Sequence, residues 1–243
     1  MIREMITRYG RSWGGYIWAI LEPVGMIAIL ALVFSQFIRT PPIGQSFALF
    51  YATGFIPYHF FNDIASQTSN AVRLNRALMQ FPVVTPLDAI FARFLLSAIT
   101  LVVVAAIVFF GLILIVDQPV RLEWPNLIVA VSAAAFLGLG VGTTNALLFS
   151  FYPVWRNLWA IISRPLFIVS GVFYTFESLP QSVQQVLWWN PLIHVVGEAR
   201  KAFYPVYEGT YISLGAVVGV SALAFVFSAS MLIRYRSRVI ESG

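Results

Sequence analysis

Residues 126–151, NLIVAVSAAAFLGLGVGTTNALLFSF, carry no charged side chain. A bilayer's hydrocarbon core is crossed by a helix of about 20 residues. Inside it every backbone N–H and C=O must be bonded within the protein, so an apolar run of this length folds as a helix. Similar runs occur at about 17–38, 90–116 and 213–233. Charged side chains make up 10% of the 243 residues, against about 25% in a soluble domain. No segment between the apolar runs is long or polar enough to build a water-soluble core of its own. The expectation is therefore an all-α integral membrane protein, with 1–243 as one transmembrane domain.

Six spans are predicted. The second, about 47–66, is crowded with Tyr51, Gly54, Pro57, Tyr58, His59, Asn62 and Asp63, and such a span is expected to be broken rather than straight. The fifth begins near Trp159 and enters the least regular stretch of the chain, 165–205. There apolar pieces shorter than a span are interrupted by Glu177, Pro180 and Asn190-Pro191 and end in Glu198, Arg200 and Lys201. Pro and charged residues are tolerated at membrane depth only when surrounded by protein or water. This reads as a span followed by a re-entrant or interfacial outer hairpin, 175–208, between the fifth and sixth spans. At the front, residues 1–16 place Ile2, Met5, Ile6, Tyr9, Trp13 and Tyr16 at helical spacing, with Arg3, Arg8 and Arg11 largely on other faces. That pattern predicts an amphipathic interfacial helix. No cleavable signal peptide is visible, because no short apolar core with a small-residue cleavage site follows the first arginines.

Basic residues orient the chain. With six spans and both termini cytoplasmic, only Arg39, Arg121, Arg200 and Lys201 of the fifteen basic residues lie outside, a strong positive-inside bias. The polar connection 69–88 is then cytoplasmic. Val72, Leu78 and Phe81 predict a short amphipathic helix there, ended by Pro82, and such a helix is suited to docking in a partner's groove.

Several chemistries are excluded or weak. There is no cysteine, so thiolate metal sites and cysteine nucleophiles are ruled out. A phosphate-binding P-loop needs a lysine after glycine, and the one lysine, Lys201, follows Arg200; a nucleotide-driven engine would have to be another chain. His59 and His194 show no metal-ligand spacing. Ser170-Gly171 with a distant histidine is a poor protease signature and reads as packing. No catalytic residue and no metal site is assigned, and no nucleic-acid motif is present. His194, four residues before Glu198, reads as a local ion pair or cap. Gly138, Gly140 and Gly142 read as close helix packing. Glu22 beside Pro23 either partners freed backbone groups or faces a substrate path. The aromatic second span has two readings as well: helix packing, or stacking on sugar rings.

With these residues in view, the chain resembles the permeases of type 2 ATP-binding-cassette exporters, in the branch exporting capsular polysaccharide, O-antigen and teichoic acid. The likeness covers essentially the whole length. Arg8-Tyr-Gly-Arg-Ser-Trp-Gly-Gly-Tyr-Ile-Trp-Ala-Ile-Leu-Glu-Pro is similar to the family's membrane-entrance pattern, marked here by Arg8, Trp18, Glu22 and Pro23. Ser170-Gly-Val-Phe-Tyr, Leu179-Pro, Trp189-Asn-Pro-Leu and Arg200-Lys201 resemble the fifth span and its pair of short outer helices. The turn Tyr152-Pro-Val-Trp-Arg-Asn-Leu is similar to a cytoplasmic Arg-Asp-Leu turn, with Asn157 in the acid's place.

The resemblance implies a homodimeric channel in the bacterial inner membrane, driven by two cytoplasmic ATPase subunits that hold the ATP and magnesium, with no cofactor in this chain. Its cargo would be a lipid-linked polysaccharide, and a periplasmic polysaccharide co-polymerase or export protein is an expected further partner. Arg73, Arg76, Leu78 and Phe81 would then couple to the ATPase. Tyr51, Phe55, Tyr58, Phe173 and Tyr174 would line the channel, with Arg39 and Arg200 favouring an anionic polymer. The rival expectations are an ATP-driven lipid, O-antigen or drug exporter of the same fold, and a channel or proton-coupled transporter using Asp63 and Glu22.

Overall fold

The computed structural model describes residues 15–79, 81, 83–116 and 121–236. The predicted interfacial helix lies outside the described residues, Arg8 with it, except that residues 15 and 16 begin the first helix. The described chain forms α1 (Gly15–Phe37), α2 (Phe47–Leu74), α3 (Arg76–Met79), α4 (Pro86–Ile115), α5 (Trp124–Phe151), α6 (Val154–Val169), a 3-10 turn (Phe176–Ser178), α7 (Gln181–Leu187), α8 (Pro191–Phe203) and α9 (Leu214–Arg234). Within α1, α4, α5 and α9 lie four stretches long and apolar enough to cross a membrane. Their lipid-facing surfaces are rows of exposed Leu, Ile, Val and Phe, which in water would be untenable and in hydrocarbon cost nothing.

The second predicted span differs from its expectation. α2 runs unbroken for 28 residues, through Pro57 and on past Ser66 to Leu74, so the first part of the expected polar connection is a continuation of this helix. Every residue from Leu49 to Tyr58 is buried. Proline removes one intrahelical bond and strains its turn, but neighbours packed on all sides hold the helix together. α1, α4, α5 and α8 pack against α2, most closely along 49–58, whereas further along Asn62 and Ser66 are exposed and Asp63, Gln67 and Asn70 are half-buried. The rest of the connection is only α3, followed by a fresh helix start. At that start Thr85 and Asp88 form a reciprocal capping box, with the Thr85 N–H donating to Asp88 Oδ2 at 2.7 Å and the Asp88 N–H donating to Thr85 Oγ1 at 3.3 Å. Pro86 occupies the first turn, where its missing N–H is no loss.

α5 is the second central element, and its glycines decide how near its neighbours come. A Cβ on Gly138 would sit 2.9 Å from the Phe61 carbonyl oxygen of α2, and one on Gly140 would sit 2.7 Å from the Ser221 carbonyl oxygen of α9. Gly142 faces Thr68 and Ala65 of α2 in the same way. The predicted packing role of these glycines is thus the observed one. Thr144 and Ser228 hydroxyls, 2.9 Å apart, add a polar tie between α5 and α9.

The helices alternate between two ends. At one end Arg236, just past α9, donates to the Val84 carbonyl at 2.8 Å, and Trp155 Nε1–H of α6 donates to Asn145 Oδ1 of α5 at 2.9 Å. At the other, the Glu123 N–H before α5 donates to the Ala202 carbonyl of α8 at 2.8 Å, and Gly44 in the α1–α2 loop lies against the Tyr204 ring. The first end gathers Arg73, Arg76, Arg156, Arg234 and Arg236; the second has Arg39, Arg121, Arg200 and Lys201.

α6 stands apart. At 16 residues it is short of the usual span, and none of its residues is buried. One face shows Val154, Leu158, Ile161 and Ile162; the other carries Arg156, Asn157, Ser163 and Arg164.

Candidate functional site

The predicted lining residues converge, but as a packed cluster. Phe34 of α1, Tyr51, Phe55 and Tyr58 of α2, Phe167 of α6 and Phe173 of the following loop form a chain of ring contacts. Phe34 and Tyr51 have centroids 5.3 Å apart, Tyr58 and Phe167 4.9 Å, Phe55 and Phe167 6.1 Å, and Phe167 and Phe173 5.0 Å. Several are tilted or edge-on, the arrangement ring quadrupoles favour. Tyr51, Phe55 and Tyr58 are buried, while Phe173 and Tyr174 are half-buried. The cluster attaches α6 to α2, together with a long Tyr58 Oη contact to the Ser163 carbonyl at 3.5 Å. Phe34 and Phe167 were missed by sequence reasoning, since an isolated Phe in an apolar run carries no signal of what it faces.

Arg200 corrects an expectation. The resemblance makes it a channel charge favouring an anionic polymer, yet it is 1% exposed. Its Nη1 donates to the Tyr174 carbonyl at 2.6 Å, its Nη2 to the Val172 carbonyl at 3.2 Å, and its guanidinium lies 4.4 Å from the centroid of the Phe50 ring. A buried cation is tolerable when dipoles or an aromatic face meet its charge; two carbonyls and the Phe50 ring do so, while the buried Nε has no hydrogen-bond partner among the described residues. Here the loop after α6 turns its carbonyls inward for that purpose. Gly171 makes the turn, at φ +82°, and Gly54 of α2 leaves room for the Val172 backbone, which a Cβ there would approach to 3.0 Å. Arg39, by contrast, is exposed.

The two short helices implied by the resemblance are present as α7 and α8, and the Trp-Asn-Pro stretch explains their junction. Asn190 Oδ1 accepts from the Leu192 N–H at 3.1 Å, capping α8, while Asn190 Nδ2 donates to the Val169 carbonyl at the end of α6 at 2.9 Å. Trp188 Nε1–H donates to the Tyr211 carbonyl at 3.1 Å. His194 is not paired with Glu198. Its Nε2 lies 2.8 Å from the Trp188 carbonyl and its Nδ1 accepts from the Ser213 N–H at 3.2 Å, so it is the neutral Nε2–H tautomer; burial lowers its pKa. Glu198 instead meets Lys201 at 3.6 Å. Tyr207 and Tyr211 hydroxyls, 2.9 Å apart, complete a buried polar layer, and burial holds Tyr211 up at about 12.

At the arginine-rich end, Arg73, Arg76 and Arg156 line one cleft between α2, α3, α5 and the start of α6. Leu78 is half-buried, whereas Phe81 is 63% exposed, and Leu74 and Val83 are exposed beside it. Of the entrance residues, Trp18 and Glu22 are exposed and Pro23 is buried. Asp63 accepts from Gln67 Nε2 at 3.5 Å, and Gln67 Oε1 in turn accepts from Arg93 at 3.1 Å, so Arg93 reaches inward to α2. The Ser170 hydroxyl donates to the Phe167 carbonyl at 2.7 Å, a helix-end bond within its own turn.

A chain whose regular structure among the described residues is all helical, with four helices long and apolar enough to cross a membrane, is a multi-pass membrane protein. A family model described as ABC-2 type transporter matches residues 1–204, and the chain belongs to that family. Among curated relatives it is 30% identical over 241 residues to the polysialic acid transport protein KpsM of Escherichia coli, covering 98% of this chain and 92% of the relative. It is 26% identical over 246 residues to the capsule polysaccharide export inner-membrane protein BexB of Haemophilus influenzae, covering 99% and 91%. It is 27% identical over 213 residues to the corresponding protein CtrC of Neisseria meningitidis, covering 87% and 80%. The family found is the one that the entrance and outer-hairpin motifs resemble.

Proposed function

We propose that this chain is the transmembrane half of an exporter that moves a lipid-linked capsular polysaccharide across the bacterial inner membrane. The observation that carries this reading is similarity along nearly the full chain to relatives named for capsule and polysialic acid export. In it, two copies form the channel and two cytoplasmic ATPase subunits, holding the ATP and magnesium, drive it; a periplasmic export protein would receive the polymer.

Six crossings, with α2 and α6 joining the four apolar helices, put both termini on the arginine-rich side, which the positive-inside rule makes cytoplasmic. α7 and α8 then form a re-entrant outer hairpin. α6, amphipathic and without a buried residue, is the element best placed to meet a second copy. The aromatic cluster under it, including Tyr51, Phe55, Tyr58, Phe173 and Tyr174, would open onto the polymer when α6 moves, and the exposed Arg39 would attract an anionic chain. The exposed apolar tip at Leu74, Phe81 and Val83 supports an ATPase-docking role for 69–88.

Deleting the gene in its own host and probing surface and cell-internal polysaccharide tests the reading. Loss of surface polymer with accumulation of lipid-linked polymer inside, restored by the intact gene, is the expected result. Unchanged surface polymer with a changed lipid, O-antigen or drug phenotype would shift the cargo, and export dependent on the proton gradient alone would reject the ATP-driven mechanism.

A further inference from the structure

The side of α2 that its neighbours leave uncovered is polar at membrane depth. Phe61, Ile64, Ala65, Thr68 and Val72 are buried. At 3.6 residues per turn, His59, Asn62, Asp63, Ser66 and Asn70 fall on the opposite side, where Asn62 and Ser66 are exposed. α5 gives their depth. Gly138 stands at the midpoint of this 28-residue helix and packs against the Phe61 carbonyl, so Asn62 is level with the middle of a membrane-length apolar helix. Gly142 packs against Ala65 and Thr68, which puts Ser66 only about 6 Å from that level, within a hydrocarbon core of about 30 Å. Asn70 Nδ2 donates to the Ser66 carbonyl at 2.9 Å, but among the described residues the Asn62 amide and the Ser66 hydroxyl have no hydrogen bond of their own. Hydrocarbon laid against these groups would strand them, so this face meets a polar occupant.

Two features identify the occupant's chemistry. First, the polar strip continues the aromatic cluster: His59 stacks on Phe55, with centroids 5.5 Å apart and planes 16° from parallel, and Phe55 meets Phe167 edge-on. Ring faces leading into a row of amides and a hydroxyl match a sugar chain, which offers apolar ring faces for stacking and hydroxyls for pairing. Second, no Lys or Arg stands between His59 and Asn70, so the strip is made to pair neutral hydroxyls rather than carboxylates or phosphates. A lipid tail would pair with none of these groups. A helix of a second copy would need small residues for close approach, whereas Asn62, Asp63, Gln67 and Asn70 project from the backbone. The strip has closed edges: Arg93 of α4 donates to Gln67 at 3.1 Å on one side, and Tyr58 meets the Ser163 carbonyl of α6 on the other.

We infer that Asn62, Ser66 and Asn70, with His59, form a hydroxyl-binding track along α2, by which a polyhydroxylated chain runs between the arginine-rich end and the aromatic cluster. The track rests on the reading of this chain as a polysaccharide exporter and adds to it the groups that meet the sugar hydroxyls at the centre of the membrane.

The chain has no cysteine, so a single one introduced at Asn62 or Ser66 reports on that position alone. In permeabilised membranes of the host, N62C and S66C should react with a charged, water-soluble methanethiosulfonate, and V103C on the exposed apolar face of α4 should not. Reaction should be several-fold slower in membranes from cells that make the polymer than in membranes from cells whose polymer synthesis is blocked. N62L/S66V should lower surface polymer by roughly tenfold with an unchanged melting temperature, and N62Q/S66T should keep most of the export. Failure of N62C and S66C to react would overturn the inference, as would equal rates with and without polymer, a disulfide joining N62C of two copies in polymer-making cells, or normal export by N62L/S66V. Surface polymer that survives deletion of the gene would reject the exporter reading and the track with it; polymer lost on deletion but exported normally by N62L/S66V would reject the track alone.

Discussion

Arg200 donates to the Tyr174 carbonyl at 2.6 Å across 26 residues of sequence, fastening the loop after α6 to the body of α8. With the second bond to Val172 and the Phe50 ring beneath, one side chain joins α2, the loop and α8.

Replacing Arg200 by Gln should therefore unfold the loop after α6 with α7 and α8 first. Two carbonyls lose a charged donor, at a cost of about 3 kcal/mol. Lysine should fare little better, since a point charge cannot reproduce the guanidinium's fork. A lowered melting temperature and new protease cleavage within 170–208 are expected; a variant as stable as wild type would show that the buried arginine is dispensable.

The α5 glycines supply a second expectation. Gly142→Ala should cost about 2 kcal/mol by pushing α5 off α2, because its methyl would meet Thr68 and Ala65. Gly111→Ala on α4, which would meet nothing within 4 Å, should leave the melting temperature unchanged or slightly raised. Equal behaviour of the two variants in detergent melts would reject close packing as the reason for the glycines.

His194 should make the α7–α8 region acid-sensitive. Burial lowers its pKa below the 6.5 of an exposed histidine, so the unfolded chain takes up a proton before the folded one does. Its contribution is complete above about pH 6.5 and is lost as pH falls through and below that value, at up to about 1.4 kcal/mol per pH unit. Protonated Nδ1 can no longer accept from the Ser213 N–H. The melting temperature should drop between pH 7 and 5, and less so in His194→Gln; identical pH profiles would exclude this histidine as the cause.

Phe81→Ser should leave the purified chain's stability within about 0.5 kcal/mol, as expected for an exposed site, while reducing co-purification with the ATPase encoded in the same host. Normal co-purification and ATP-dependent export would remove Phe81 from the docking surface.

The aromatic cluster separates packing from passage. Phe173→Ala should cost about 3 kcal/mol through the space it leaves, whereas Tyr58→Phe removes only a 3.5 Å hydroxyl contact and should be nearly neutral in stability. Reduced polymer export in Tyr58→Phe with normal melting would support contact with the cargo; normal export would confine Tyr58 to packing.

Sequence alone determined the class of protein. Runs such as 126–151 admit only helices in lipid, the missing P-loop lysine places any ATP-driven engine in another chain, and the entrance and Trp189-Asn-Pro motifs point to the family. These are properties of composition and local order. Which face each residue presents was decided by the tertiary structure. Pro57 suggested a break, but packing on all sides of α2 keeps the helix whole. Arg200 reads in the sequence as a channel charge, yet carbonyls turned inward by Gly171 and admitted by Gly54 make it a buried clasp. His194 and Glu198, four apart on one helix, do not pair: His194 takes Trp188 and Ser213 from outside the helix, and Glu198 takes Lys201 one turn on. Arg156 stood out only as part of a basic turn until α2, α3 and α6 met and set it beside Arg73 and Arg76. A side chain's charge is written in the sequence, but the dielectric and the dipoles around it exist only once distant segments have packed.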